Sequence, residues 1–191
     1  MLQSPKLPNP SVVPSRPPNV ALIGNPNTGK TLIFNRLTGL RQKIGNYPGV
    51  TVERKTGTMA VPTGESILLH DLPGLYSLNP ISMDEKIARD VLVGENDEDD
   101  DIRLIVVVAD AANLSRNLYL VTQVIDLDIP VIVALNMIDD AEAVGVHVDA
   151  EALSARLGQT RIHVGEGAGT TYGDDFSTVD VAALFRLLPG L

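Results

Sequence analysis

The string Gly24-Asn25-Pro26-Asn27-Thr28-Gly29-Lys30-Thr31 sets glycines at both ends of a short turn and a Lys-Thr pair after the second. That spacing is the pattern of a loop that holds phosphate, and all eight positions are candidate nucleotide contacts. Glycine lets the backbone wind tightly, so that successive N–H groups point inward at phosphate oxygens. A helix starting near Gly29 would add the positive end of its dipole. Lys30 is then placed to neutralise β- and γ-phosphates, and the Thr31 hydroxyl to ligate Mg²⁺. A chance glycine turn is the bland alternative. An apolar strand directly upstream and a helical pattern directly downstream argue against it.

Two further strings complete a nucleotide site. Asp71-Leu72-Pro73-Gly74 ends an apolar run. Its Asp71 can hold Mg²⁺ through water, and Gly74 can turn its N–H to a γ-phosphate. Asn136-Met137-Ile138-Asp139 follows another apolar run and bears on the base. Guanine presents N1–H and an exocyclic amine side by side, and one carboxylate can accept both. Adenine offers no such pair. Asp139 would therefore select guanine, with Asn136 and Met137 in the same loop and Asn136 bracing it. A buried carboxylate left unpaired by the wrong base costs enough to set specificity. Alone, the second string is common, and it gains force from the first.

These residues need a scaffold that brings distant segments together. Short apolar runs alternate with helical stretches along the chain, which implies an α/β sheet flanked by helices. Asn19 to Gly24 reads as a buried strand, followed by a helix carrying Leu32, Ile33, Phe34 and Leu37. Val52 to Val61 and Ser66 to Asp71 read as strands joined by a turn at Pro62-Thr63-Gly64-Glu65. A helix is expected over Ser82 to Val93, with an Asp-Glu start that suits its N-terminal end. Arg103 to Asp110 and Pro130 to Asn136 are almost wholly apolar, as in parallel strands covered on both faces. Between them Leu114 to Leu127 has helical spacing, with Leu118, Val121, Val124 and Ile125 on one side. The proline-rich stretch Met1 to Pro18 reads as a disordered leader, and Glu95 to Asp101 as a solvated acidic loop. Gly165 to Asp175 is glycine-rich and aperiodic, and a final helix is expected over Val179 to Leu188.

Composition narrows the function. The 191 residues suit one domain, and 44% hydrophobic residues are enough for a core, though aromatics make up only 4%. A net charge of −9, from 15 basic and 24 acidic residues, argues against a nucleic-acid partner. Cys is absent, which excludes disulfides, thiolate zinc sites and thiol catalysis. The longest apolar run, Leu104 to Ala109, is strand-length and far short of a membrane span. His70, His147 and His163 are scattered and read as structural or solvated, not as a joint iron site.

The order of these strings, and the text between them, resembles the cytosolic N-terminal G domain of the bacterial ferrous iron transport protein B family. The likeness runs from Val20 to Gly158 and rests on GNPNTGKT, FNRLTG, GNYPGVTVERKTG, DLPGLYSL, NLYLVTQ, ALNMID and ALSARLG. Gly45 to Gly57 is the most discriminating of these. The resemblance implies a P-loop NTPase fold with a mostly parallel six-stranded sheet flanked by helices. It implies GTP binding and slow hydrolysis to GDP, and a membrane domain of an iron transporter as partner. Location at the cytoplasmic face of the inner membrane would follow from that partner. It also implies that Thr51 is the switch I threonine that ligates Mg²⁺, and that Asp71 to Tyr76 opens switch II. Asn27 is implied to help bind a K⁺ ion. Catalysis would then involve Lys30, Asn27, Thr51 and Gly74. Leu75 occupies the position where many small GTPases carry a water-orienting glutamine, so Mg²⁺, Lys30, backbone groups and K⁺ must carry more of the work. The sequence to Leu191 contains neither the helical nor the membrane-spanning part of that family. Two other readings stay open at this point: a free-standing GTPase of ribosome or RNA assembly, and a nucleotide-binding module without catalysis.

Overall fold

Strand β1 (Asn19–Gly24) reads NVALIG, and Val20 to Ile23 are shut away from solvent. A run this apolar has no solvent face, so it must be covered on both sides, as in a parallel sheet between helix layers. The computed structural model describes residues 17–60, 66–95, 101–158 and 160–164, and β1 lies at the centre of its sheet. After β1 come α1 (Lys30–Thr38), β2 (Gln42–Asn46), β3 (Glu53–Ala60), β4 (Ser66–Asp71) and α2 (Met83–Leu92). Next follow β5 (Ile102–Asp110), a 3₁₀ turn at Ala111–Asn113, α3 (Leu114–Ile125) and β6 (Val131–Asn136). Two short helices, α4 (Ile138–Ala143) and α5 (Ala150–Arg156), lead to β7 (Arg161–Val164).

The strand order is β2-β3-β4-β1-β5-β6-β7. β4, β1, β5, β6 and β7 run parallel, while β3 is antiparallel to β4 and β2 to β3. Alternate residues of each central strand feed opposite faces. Ala21 and Ile23, with Ile105, Val107, Val133 and Leu135, join the cluster that takes in Leu120, Val121 and Val124 of α3 and Ala88 and Val91 of α2. Val20 and Leu22, with Leu104, Val106 and Ile132, join the cluster of Ile33 and Phe34 from α1. Each such buried aliphatic contributes about 1.5–3 kcal/mol, so the two clusters fix which face each helix covers.

The mostly parallel sheet flanked by helices is the architecture the sequence implies, and β2 adds an edge to it. Its residues QKIGN lack an apolar alternation and are largely exposed. Only antiparallel pairing with β3, from Gln42 opposite Gly57 to Asn46 opposite Glu53, makes it a strand. The inward stripe of α3 also differs from expectation. Asn117, Leu120, Val121 and Val124 are buried, whereas Leu118 and Ile125 are only half-buried flanks. The leader up to residue 16, the turn at 62–65, residues 96–100 of the acidic run, and everything from 165 onward lie outside the described residues.

Candidate nucleotide-binding site

Four parallel strands, β4, β1, β5 and β6, end side by side. Their carboxyl ends carry Asp71, Gly24, Asp110 and Asn136. From β1 the chain runs out to the edge at β2, returns through β3 to β4 beside β1, then crosses to β5 on the other side. Such a reversal of strand order opens a crevice beyond the carboxyl ends, where ligands bind in open α/β sheets.

Residues 24–31 fill that crevice. Thr28 Oγ1 donates to the Asn25 carbonyl at 3.0 Å, closing the loop on itself. Asn27 and Gly29 have positive φ, 68° and 81°, which turns the loop under the start of α1. A Cβ at Gly29 would stand 2.4 Å from Asn136 Nδ2, so a side chain there is excluded by both space and backbone. The reason for the close approach is a hydrogen bond from Asn136 Nδ2 to the Thr28 carbonyl, 2.8 Å long. β6 thereby braces the loop across the end of β5. No side chain caps the N-terminus of α1, so its first N–H groups remain for an anion.

Lys30 and Thr31, in the first turn of α1, both reach Asp71 at the end of β4. Lys30 Nζ donates to Asp71 Oδ1, and Thr31 Oγ1 approaches Oδ2 at 3.4 Å. The two charged side chains are 11% and 4% exposed, so the pair is withdrawn from water. Downstream, Gly74 lies against Pro26, where an added Cβ would sit 3.3 Å from the Pro26 nitrogen. Leu75 is fully buried and its N–H donates to the Gly24 carbonyl at 3.2 Å. On the far side, Met137 with φ 59° turns the chain into α4, and Asp139 stands exposed in that helix's first turn. Asp139 is therefore presented by a helix rather than by a loop.

Thr51 lies elsewhere. The β2–β3 connection folds on itself through Tyr47 N–H to the Val52 carbonyl, 3.0 Å, and Val50 N–H to the Tyr47 carbonyl, 3.3 Å. Tyr47 is buried in the same apolar cluster as Leu72 and Leu75. Thr51 is exposed and lines an open cleft of about 710 Å³ with Asn46, Met83 and Asp84. That cleft groups it with the start of α2.

Sequence reasoning missed the residues that grip the segment after Gly74. The Arg116 guanidinium stands 4.4 Å from the Tyr76 ring centroid, and Gln123 Oε1 accepts the Leu78 N–H at 2.8 Å. Glu85 Oε2 accepts the Ile81 and Ser82 N–H groups, while Ser82 Oγ accepts the Glu85 N–H. The Glu85 carboxyl is held below its ordinary 4.5, chiefly by the Ile81 amide. The Ser82-x-x-Glu85 spacing was a readable signal for this capping box. Gln123 closes the NLYLVTQ string, but nothing in the sequence points to its contact with Leu78.

The family model described as "Ferrous iron transport protein B" matches residues 18–172. The chain belongs to this family. The Fe(2+) transporter FeoB of Salmonella typhimurium is 54% identical over 144 residues, which are 73% of this chain and 18% of that protein. The FeoB of Escherichia coli K12 is 52% identical over the same lengths. The chain thus spans under a fifth of these FeoB relatives. Among solved structures, a GDP-bound S. thermophilus FeoB G-domain is 47% identical, with a TM-score of 0.68, covering 77% of this chain and 54% of that one. The cytosolic domain of L. pneumophila FeoB is 40% identical, with a TM-score of 0.72, covering 88% and 66%. The cytosolic domain of T. maritima FeoB in its GMPPNP form is 42% identical, with a TM-score of 0.70, covering 78% and 56%. The G-domain fold of the FeoB family is therefore the fold of this chain.

The donors present fit the ions that the resemblance implies. Thr31 and Asp71 offer a hydroxyl and a carboxylate on adjoining elements, the hard oxygen donors that Mg²⁺ prefers. The amide oxygen of exposed Asn27 is a donor of the same kind for K⁺. Among the described residues no helix is long and apolar enough to cross a membrane. No cluster of three His, Cys, Asp or Glu side chains that could hold a metal occurs among them either.

Proposed function

We propose that this chain binds guanine nucleotide at the crevice around residues 24–31 and hydrolyses GTP to GDP and phosphate. The observation that carries the reading is the convergence of Lys30, Thr31 and Asp71 beneath an uncapped helix N-terminus, with Asn136 bracing the loop from β6. Backbone N–H groups of the loop cradle the phosphates, and Lys30 moves from Asp71 to the β/γ-oxygens. Thr31 and Asp71 would hold Mg²⁺, which neutralises charge between the phosphates when bound. Asn27 would hold K⁺ at the loop apex. Gly74 turns its N–H toward the γ-phosphate, and Asp139 accepts the N1–H and amine of guanine. Buried Leu75 cannot orient the attacking water, so intrinsic turnover is slow. The GDP- and GMPPNP-bound relatives support nucleotide binding, and the identity to FeoB supports a regulatory role beside the membrane domain of an iron transporter.

Fluorescent GDP binding to the purified chain, competed by GTP or ATP, tests the site. Competition by GTP and not by ATP is expected, with slow phosphate release that is faster in KCl than in NaCl. Binding of neither nucleotide overturns the reading. Thr51 lines the cleft beside α2, and the switch role that the resemblance implies would have it engage the nucleotide's metal only with triphosphate bound. Thr51→Ala should therefore spare GDP affinity, weaken GMPPNP binding and slow hydrolysis. Equal loss for both nucleotides would make Thr51 a structural residue.

A further inference from the structure

Basic and acidic side chains are sorted to opposite ends of the sheet. Residues 36–55, from the end of α1 through β2 to the start of β3, hold Arg36, Arg41, Lys43, Arg54 and Lys55 against one acid, Glu53. Residues 126–151, around β6, α4 and the start of α5, hold seven acids and no Lys or Arg. β2 is one edge of the sheet, and β6 lies next to the other. Five strand spacings separate β2 from β6, about 24 Å. Charges that far apart are screened from each other at physiological salt, where the Debye length is about 8 Å. A chain of net charge −9 can therefore still offer an anionic partner a local cationic face.

Two large aliphatic side chains share that edge. Leu40 is 68% exposed and Ile44 60%. Arg41 and Lys43 stand exposed between them in the chain. Leu40 also has φ 61°, a left-handed conformation that leucine rarely adopts. In the β2–β3 ladder Ile44 lies opposite Lys55, which sets an apolar and a cationic side chain beside each other on one face. Charge on an edge strand has an ordinary use, which is to keep other strands from pairing with it. That use accounts for Lys43, but Leu40 and Ile44 work against it. Cations around exposed aliphatics suit the surface of an anionic bilayer, with the charges among headgroups and the apolar side chains below them.

We infer that the β2 edge, through Leu40, Arg41, Lys43 and Ile44, docks on the surface of an anionic lipid bilayer. The choice of a bilayer over another anionic partner rests on the proposed place of the chain beside a transporter's membrane domain. An edge-on approach turns the acidic flank away from lipid and leaves the crevice at the strand ends open to nucleotide. The acidic flank of a second copy is the competing partner. Such an edge-to-flank contact is heterologous, and where its rotation does not close it builds open chains.

Sedimentation of the 191-residue chain with vesicles of phosphatidylcholine, with or without an equal part of phosphatidylglycerol, tests the inference. The chain should bind the anionic vesicles, leave them at about 1 M salt, and ignore pure phosphatidylcholine. Arg41→Gln with Lys43→Gln should lower partitioning about thirtyfold, since each cation at such a surface is worth roughly a factor of five. Leu40→Asn removes the aliphatic and suits the left-handed backbone, so it should lower partitioning about tenfold without lowering the melting temperature. Glu142→Gln with Glu151→Gln raises the net charge by as much as the Arg41 and Lys43 pair lowers it. Placed on the far flank, it should change binding by no more than about twofold. An equal and opposite change there, equal binding to both kinds of vesicle, or binding to neither overturns the inference. Self-association without vesicles, abolished by the Arg41 and Lys43 substitutions, would overturn it in favour of a second copy. A chain that binds anionic vesicles but no GDP overturns the nucleotide reading and leaves this one standing.

Discussion

At the scale of single residues, the site balances its charges internally. Lys30 and Asp71 are the cation and anion that a Mg²⁺–nucleotide complex would separate, and here they satisfy each other out of contact with water. Removing one partner of such a pair leaves a buried charge, which costs roughly 3–5 kcal/mol. Lys30→Ala should therefore lower the unfolding free energy as well as abolish tight GDP binding. Chemical denaturation and calorimetry with Mg·GDP measure the two effects, and an unchanged dissociation constant would mean that 24–31 is not the phosphate loop. Asp139 gives a test of the base. Asparagine there offers one acceptor and one donor, so its NH₂ would oppose the guanine amine, while xanthine carries a carbonyl at that position. Asp139→Asn should weaken GTP by about 3 kcal/mol, on the order of a hundredfold, and bind XTP better than the wild type does. Competition between GTP and XTP decides it, and a mutant that still prefers GTP removes Asp139 from the recognition of the base.

At the scale of elements, readability followed the strength of the local signal. β1, β5 and β6 are long apolar runs that can only be buried strands, and α1 follows directly from the glycine loop. β2 was not readable, because exposed QKIGN acquires its strand character only from β3. α4 and α5, at 6 and 7 residues, are too short to display a helical period. Of the site, the residues proposed to carry chemistry stood out in sequence because phosphate and base impose fixed residue types at fixed spacing. The pairing of Lys30 with Asp71 and the grip of α3 on switch II did not, since they join segments whose approach only the fold decides. Gln123 is the sharpest example. Its amide oxygen accepts the Leu78 N–H at 2.8 Å and ties α3 to the segment after Gly74. Gln123→Ala should raise hydrogen exchange across residues 76–80 about tenfold, since one hydrogen bond of about 1.4 kcal/mol guards that opening. Gln123→Glu, which keeps the acceptor, should stay near the wild-type rate. Unchanged exchange in the alanine variant would mean that Arg116 and Glu85 hold switch II without Gln123.

At the scale of the whole molecule, the groups proposed to hold nucleotide come from the ends of β4 and central β1, which are neighbours, and of β6, which β5 separates from β1. No one segment can offer the site alone. A ligand that engages all of them must bind the folded chain and not the unfolded one, so occupancy should appear as global stability. Ligand at a hundred times its dissociation constant contributes about 2.7 kcal/mol. In a domain of this size each kcal/mol moves the melting temperature by roughly 2–4 °C, so saturating Mg·GDP should raise it by about 5–10 °C. Mg·ADP at the same concentration should leave it unchanged if the helix-borne Asp139 reads the base as proposed. Scanning calorimetry with each nucleotide reads this directly. A net charge of −9 makes non-specific attraction of an anionic ligand a poor explanation for any rise. An equal rise with ADP would show a site that holds phosphate without reading the base. No rise with either, in a chain that remains cooperatively folded, would leave the crevice without the ligand its strand ends are arranged to receive.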